Sequence, residues 1–289
     1  MRFRVCCGDR SAAILAVALT IALRVWDFPN ALLATNCCGQ DGRAPNRQLV
    51  DALSLFGLCF FPLTPPAFCY RERMNLNVLL DGMLGYLYLL ILLTFHEFAH
   101  AWVAWKRGDD TARLQGRVSL NPLVHLDMMG TVVLPIIFIV LGATVAGSTL
   151  FFGWAKPVPV NIANLRRPRI DDTLIALAGP AMNLLLAVAI MGLVKAGQLA
   201  NSEMLVKIAV EMTQISLILC FFNLLPIPPL DGSHVVKNLI GMSYETYWRF
   251  CQYGFIAVLI VIQFRPVRWL LAAATDVTFV SIARLYRVS

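Results

Sequence analysis

Long runs of uncharged, mostly apolar residues alternate with short polar segments along most of the chain. Residues 128–155, 173–194 and 212–230 contain no charged side chain. Each run is about long enough to cross a bilayer, because a spanning helix needs roughly 20 apolar residues. Two shorter runs, 250–264 and 269–283, are weaker candidates. The pattern predicts an all-α polytopic membrane protein with about six transmembrane helices.

Proline-containing segments separate some of these runs and predict non-helical elements between the spans. The segment Gly153–Arg169, GWAKPVPVNIANLRRPR, is too rich in proline for a regular helix and is expected to be extended chain near the membrane surface. The apolar segment 130–150 lies between two basic connections. It therefore either re-enters the membrane without crossing, or crosses and places one connection against the positive-inside tendency. Both alternatives stay open, and we expect short extended or re-entrant elements.

The N-terminal region, residues 1–75, differs from the rest of the chain. Three arginines precede the apolar stretch Ser11–Leu23, which resembles a signal peptide or a short signal anchor. No clean cleavage site follows, which favours a retained anchor. A second apolar segment, 52–70, is broken by three prolines. The role of this region is unassigned.

Composition agrees with a membrane location and excludes one class of partner. Hydrophobic residues make up 58% of the chain and charged residues 14%, against about 25% charged in ordinary soluble domains. The net charge of +7 comes from short basic clusters between apolar runs. This is the distribution of Lys and Arg that cytoplasmic loops show. We therefore expect contact with the lipid bilayer and no nucleic-acid partner.

The strongest chemical signal is the sequence HEFAH, His96 to His100, at the end of an uncharged run. Two histidines four residues apart lie on one face of a helix, one turn from each other. They can bind one zinc ion, with Glu97 beside them to take a proton from a bound water. Ionisable groups inside a membrane span are costly and mark functional sites. The alternative is a helix whose histidines only bond to neighbours.

A catalytic zinc normally takes three protein ligands and one water, so a third ligand must come from elsewhere. The remaining histidines are His125 and His234, and neither has a clear role in the predicted zinc site. Asp231 stands after a proline-rich break, in FFNLLPIPPLDGSH. Such a break faces protein or water, so its carboxylate could reach a cavity. Asp231 could equally cap a helix that starts near Gly232.

Five motifs occur in an order that resembles the site-2 protease family of intramembrane zinc metalloproteases. They are HEFAH, GRVSLNP with HLD, GWAKPVPVN, ALAGPAMN and NLLPIPPLDG. The resemblance runs from about Leu76 to about Ile240 and is closest to compact prokaryotic members without a PDZ domain. It divides the chain into the N-terminal region, a catalytic membrane core at 76–240, and C-terminal apolar segments with a basic tail at 241–289.

The resemblance implies a role for each matched residue. His96, His100 and Asp231 would be the ligands of one Zn²⁺ per chain. Glu97 would activate the zinc-bound water, and Asn183 of ALAGPAMN would hold the substrate or polarise its scissile carbonyl. The alternative for Asn183 is an asparagine that joins helices beside small residues. The implied reaction is hydrolysis of a peptide bond in or near a transmembrane segment of a membrane-protein substrate.

Two other functions fit parts of the pattern. Metal transporters also place His and Asp at membrane depth, but they usually carry several ligand clusters or internal repeats. The sequence shows one cluster and no repeat. A catalytically inactive binding protein would not need Glu97. The expected location is the cytoplasmic membrane of a prokaryote, and the oligomeric state is not predicted.

Overall fold

The computed structural model describes residues 76–141 and 155–288. The predicted signal anchor and the proline-broken apolar segment at 52–70 lie outside these residues. The described part of the chain contains eight α-helices and no β-strand. The helices are α1 (Leu76–Arg107), α2 (Thr111–Leu114), α3 (Leu134–Leu141), α4 (Pro168–Leu199), α5 (Glu203–Asn223), α6 (Asp231–Leu239), α7 (Tyr244–Val261) and α8 (Arg265–Leu285).

Four of the described helices, α1, α4, α5 and α8, are long and apolar enough to cross a membrane. The predicted all-α polytopic architecture is therefore confirmed, with four of the expected spans among the described residues. The helix that carries HEFAH continues past the motif and ends at Arg107. Lys106 and Arg107 occupy its last turn, where positive charge is favourable beside the helix C-terminus.

Helix α4 lies at the centre of this bundle and contacts α1, α5, α6 and α8. The apolar core includes Leu92 of α1, Met191 of α4, Leu217 of α5 and Ile282 of α8. Lipid tails are as apolar as these side chains, so helix association in the membrane depends on close packing rather than on leaving water. A central helix with several neighbours can position groups from all of them.

The apolar segment after Asp127 begins with a π-helical turn, Met128–Val133, and continues as α3. The Asp127 carboxylate accepts hydrogen bonds from the amides of Met129 (3.1 Å) and Gly130 (2.7 Å) and so caps the turn. This apolar helical segment, Met128–Leu141, is shorter than a spanning helix requires. Because residues 142–154 lie outside the description, the choice between crossing and re-entry stays open.

The chain is non-helical from 155 to 161, as its prolines predict. Asp109, which is fully buried, joins this stretch to the end of α1. Its carboxylate accepts hydrogen bonds from the amide of Asn161 (2.7 Å) and from the side-chain amide of Asn164 (2.9 Å). The amide of Lys156 donates to the carbonyl of His125 (2.9 Å). The stretch is therefore held at both ends.

The proline-rich break between α5 and α6 forms a compact turn. Leu230 is fully buried within it, and Asp231 follows as the first residue of α6. A Cβ atom on Gly232 would lie 2.2 Å from the carbonyl oxygen of Leu224. Only glycine allows the chain to approach itself this closely, which explains the residue that follows Asp231.

Replacing Asp109 with alanine should loosen the 155–161 stretch. The amide of Asn161 and the side-chain amide of Asn164 would lose a charged acceptor, and a hydrogen bond to a charged group contributes about 1.5–3 kcal/mol. We expect a lower thermal unfolding midpoint in detergent and faster hydrogen exchange at the Asn161 amide. Asp110→Ala is the matched control, because the Asp110 side chain is 55% exposed and contacts only the exposed Arg113 among the ion pairs described. Equal exchange at Asn161 in both variants would contradict the proposed tie.

Candidate metal centre

His96 and His100 lie one turn apart on the buried face of α1. Both side chains are buried, and their Nε2 atoms are 3.0 Å apart. The rings stand nearly perpendicular, with centroids separated by 4.6 Å. The helical spacing predicted from HEFAH thus brings two imidazole nitrogens to one point.

Helix α4 holds the opposite edge of each ring. Nδ1 of His100 lies 2.7 Å from the carbonyl oxygen of Ile175. A carbonyl only accepts hydrogen bonds, so Nδ1 carries the proton and Nε2 of the neutral ring keeps its lone pair. Nδ1 of His96 lies 3.1 Å from the side-chain amide of Asn183. The atom placed there is the Asn183 nitrogen, while its oxygen has no partner among the described residues. If the side-chain amide is rotated by 180°, the oxygen accepts from Nδ1 and His96 has the same tautomer as His100.

Asp231 completes the group. Its Oδ2 atom lies 3.2 Å from Nε2 of His96 and 3.4 Å from Nε2 of His100. Leu230, not Asp231, occupies the N-cap position of α6, and no side-chain cap bond forms there. The helix-cap alternative for Asp231 is therefore wrong. Its carboxylate points away from the helix end and toward the histidines.

The three atoms fit a metal ion. Bonds of about 2.0–2.1 Å in a tetrahedral zinc site place neighbouring ligand atoms about 3.3 Å apart. The observed separations are 3.0, 3.2 and 3.4 Å. A buried carboxylate oxygen that accepts no hydrogen bond from the described residues converges here with the two Nε2 atoms, and a cation would neutralise its charge. Among the described residues this is the one group of His, Cys, Asp or Glu that could hold a metal ion.

Gly179 of α4 keeps the space beside the histidines open. A Cβ atom at this position would lie 2.3 Å from Nε2 of His100 and 2.6 Å from Nε2 of His96. Any side chain would therefore enter the volume between the two nitrogens. The absence of a side chain at the glycine of the ALAGPAMN motif therefore keeps this space free.

Glu97 lies at a cavity beside the ligand group. Its side chain is almost fully buried, and Oε1 accepts no hydrogen bond from the described residues. The cavity has a volume of about 70 Å³ and is also lined by His100 and Asp231. Because one water needs roughly 10–15 Å³ of such volume, several waters fit. A buried carboxylate next to space for water can exchange a proton with it.

The other histidines lie outside the ligand group. His125 has its Nε2 atom 2.9 Å from the carbonyl oxygen of Ser119, in the polar connection after α2. His234 lines the cavity but directs Nδ1 at Asp172, 3.1 Å away. Neither joins the three converging atoms.

Sequence reasoning did not find three groups on α4 that contact this site: Asp172, the Ile175 carbonyl and Gly179. The backbone carbonyl leaves no signal in a sequence. Asp172 did leave one, because it is a charged residue at the start of a long uncharged run. Such a residue is either at the membrane surface or paired inside the protein.

Comparison with known proteins adds a family to this geometry. The sequence pattern of Peptidase family M50 matches residues 84–198 and 190–262. The chain belongs to this family. The resemblance to site-2 proteases is thereby confirmed, and the protein is a zinc metalloprotease of the M50 family. Together with its four long apolar helices, this makes it an integral membrane protein.

Similar proteins carry zinc metalloprotease descriptions. The chain is 39% identical over 181 residues to "Putative zinc metalloprotease YwhC" of Bacillus subtilis, covering 60% of this chain and 77% of that protein. It is 33% identical over 176 residues to "Putative zinc metalloprotease Rip2" of Mycolicibacterium smegmatis, covering 60% and 64%. A protein of the same description from Mycobacterium tuberculosis is 32% identical over 149 residues, covering 50% and 52%. No solved structure matches the chain.

Substituting Gly179 with alanine should abolish zinc binding while leaving the bundle folded, because the new methyl group would occupy the space between the histidine nitrogens. Zinc content after purification in detergent, measured by mass spectrometry, checks this. Gly192→Ala on the same helix is the control, since its Cβ would come no closer than 3.4 Å to Tyr286. A Gly179→Ala protein that retains zinc as wild type does would contradict the close approach of α4.

Proposed function

We propose that this M50 peptidase is an intramembrane endopeptidase that cleaves membrane-protein substrates in or near a transmembrane segment. His96, His100 and Asp231 hold one zinc ion, and Glu97 is the general base and acid. The observation that carries the proposal is the convergence of three ligand atoms beside a buried carboxylate and a cavity, all between helices long enough to span a bilayer.

The residues divide the chemistry between them. A zinc ion held here would polarise the scissile carbonyl and lower the pKa of a bound water to about 7. Glu97 accepts a proton from the attacking water and delivers it to the leaving nitrogen as the peptide bond breaks. The cavity beside Glu97 supplies water at a depth where the surrounding bilayer has none.

Asn183 acts through His96 in this proposal. Its side chain lies behind the His96 ring, and it is not among the residues that line the cavity. We therefore assign it the role of a positioning residue, which fixes the ring and its tautomer, rather than direct contact with substrate. Such partners of metal ligands typically change metal affinity or activity by about 10–100-fold.

The substrate must reach the site as an unwound strand, because helical backbone hydrogen bonds protect peptide groups. The extended stretch at 155–161 borders the cavity through Pro157, Val158 and Val160. We propose that the unwound segment lies along it, as a peptide lies along the edge of a sheet. The anchoring of this stretch by Asp109 would then keep the docking edge in place.

The organisation of the whole chain follows from this assignment. We propose that 76–240 is the catalytic membrane core, because all candidate ligands and cavity walls except Tyr244 fall within it. Residues 241–289 support it through α8, which packs on α5. Since the matched relatives are bacterial, we place the protein in the cytoplasmic membrane of a prokaryote.

Zinc content tests the ligand set. We expect about one zinc per chain in detergent-purified wild type and a large loss in Asp231→Ala, because a three-ligand site would be reduced to two. Zinc content is measured by mass spectrometry on protein whose circular dichroism spectrum is still helical. Folded wild type without zinc would contradict the proposed function. Full zinc in Asp231→Ala would assign the third ligand elsewhere.

Replacing Glu97 with glutamine should retain zinc and lower cleavage by at least about 100-fold, the range expected for loss of a general acid–base. The assay uses vesicles that hold the peptidase together with a panel of fluorescently labelled single-span membrane proteins. Glu245→Gln is the control, because this side chain is 76% exposed, pairs with Arg249 and is not among the residues that line the cavity. Cleavage at the wild-type rate by Glu97→Gln would refute its role.

A further inference from the structure

A second group of polar side chains lies where α6 packs against α4, beside the metal centre. Asp172 of α4 is only 5% exposed and accepts hydrogen bonds from three residues of α6. Its Oδ2 atom receives the Nζ of Lys237 at 2.7 Å and the side-chain amide of Asn238 at 2.6 Å. Its Oδ1 atom receives Nδ1 of His234 at 3.1 Å. The mechanism proposed above does not use this group.

Two of the three donors, His234 and Asn238, share a helical face with Asp231. Residues three, four and seven positions apart lie on the same side of a helix. His234 is three residues after Asp231, and Asn238 is seven after it. One face of α6 therefore carries the third zinc ligand at its first residue and two of the contacts to Asp172, from His234 and Asn238, farther along. Lys237 reaches Asp172 from the adjoining face.

Helix α6 depends on contacts with other helices for its orientation, because it is short and follows a proline-rich turn. It has nine residues and follows a turn that contains three prolines. A short helix of this kind is not stable by itself, and its orientation depends on tertiary contacts. A rotation of α6 about its axis would carry the Asp231 carboxylate away from both histidines.

Burial makes the contact strong and specific. Lys237 and Asp172 are each 5% exposed, so each charge has little contact with water in the packed structure. Separating a buried ion pair leaves both charges uncompensated, which strongly disfavours other orientations of the two helices. Asn238 also donates to Thr173 (3.0 Å), which adds a neutral bond at the same junction.

We propose that Asp172 is a positioning residue of the metal centre, which fixes α6 on α4 and thereby holds Asp231 at the histidine pair. The proposal rests on the proposed zinc site. It also completes a pattern on α4. Asp172, Ile175, Gly179 and Asn183 follow each other at intervals of three or four residues and so form one stripe along the helix. Asp172 holds Asp231 by way of α6, and the Ile175 carbonyl contacts His100. Gly179 leaves the space between the two Nε2 atoms open, and Asn183 contacts His96.

The test compares two neighbouring buried aspartates. Asp171→Asn is the matched control for Asp172→Asn, because Asp171 is equally buried on the same helix but bonds to the Arg167 amide (2.7 Å) and not to α6. Zinc affinity is measured for the full-length chain in detergent by competition with a chromogenic chelator. We expect zinc to bind about 10–100-fold more weakly to Asp172→Asn, which is the typical effect of losing a residue that orients a metal ligand. Zinc should bind to Asp171→Asn with an affinity within about threefold of wild type, because this residue does not bond to α6.

A second measurement uses protein stripped of zinc. Hydrogen exchange of the α6 amides should be faster in Asp172→Asn than in wild type or Asp171→Asn, since the tie exists without metal. If Asp172→Asn alone does not fold because Lys237 is left unpaired, the double variant Asp172→Asn with Lys237→Met removes that charge and is compared in the same way. Unchanged zinc affinity and unchanged exchange in α6 would overturn the proposal, as would equal effects of the two aspartate substitutions. Wild type without zinc would instead count against the proposed function.

Discussion

The metal centre depends on one electrostatic requirement: polar groups that face one another inside an apolar bundle must be held in place by neighbouring residues. Two imidazole nitrogens and a carboxylate oxygen, all of buried residues, lie within 3.0–3.4 Å of each other. Unpaired, such groups would turn away or change protonation. The structure prevents this from the side opposite the site, where the Ile175 carbonyl and the Asn183 amide hold the two rings.

Helix α4 supplies these partners because it is the centre of the bundle. A helix with neighbours on several sides can contact α1 with one part of its surface and α6 with another. Its small residue Gly179 permits the close approach, and its polar residues satisfy the groups that the approach buries. A helix of uniformly large apolar side chains could pack in this place but could neither orient the histidines nor leave room between them.

Water is the second requirement of hydrolysis at membrane depth. The cavity that reaches Glu97 is bounded on one side by α4 and α6 and on another by the extended stretch at 155–161. Non-helical backbone inside a membrane protein is tolerated only where it is shielded by protein or faces such a cavity. The same stretch can therefore line the cavity and, in the proposed function, form the edge along which an unwound substrate would lie. Asp109, which is not a candidate ligand, holds this stretch through its hydrogen bonds with Asn161 and Asn164.

The sequence by itself determined everything that depends on local spacing. The four-residue interval of His96 and His100 fixes their shared face, and prolines fix the breaks before α4 and α6. Apolar runs indicate where spans lie but not their bounds, because α5 begins at Glu203, before its uncharged run at 212–230, and ends at Asn223. It could not decide between ligand and cap for Asp231, nor find the partners of the histidine rings. His100 and Ile175 are 75 residues apart, and His96 and Asn183 are 87 apart. Contacts over such distances depend on how helices pack, which periodicity within one helix does not encode, so only the tertiary structure decided which polar residues of α4 support the centre.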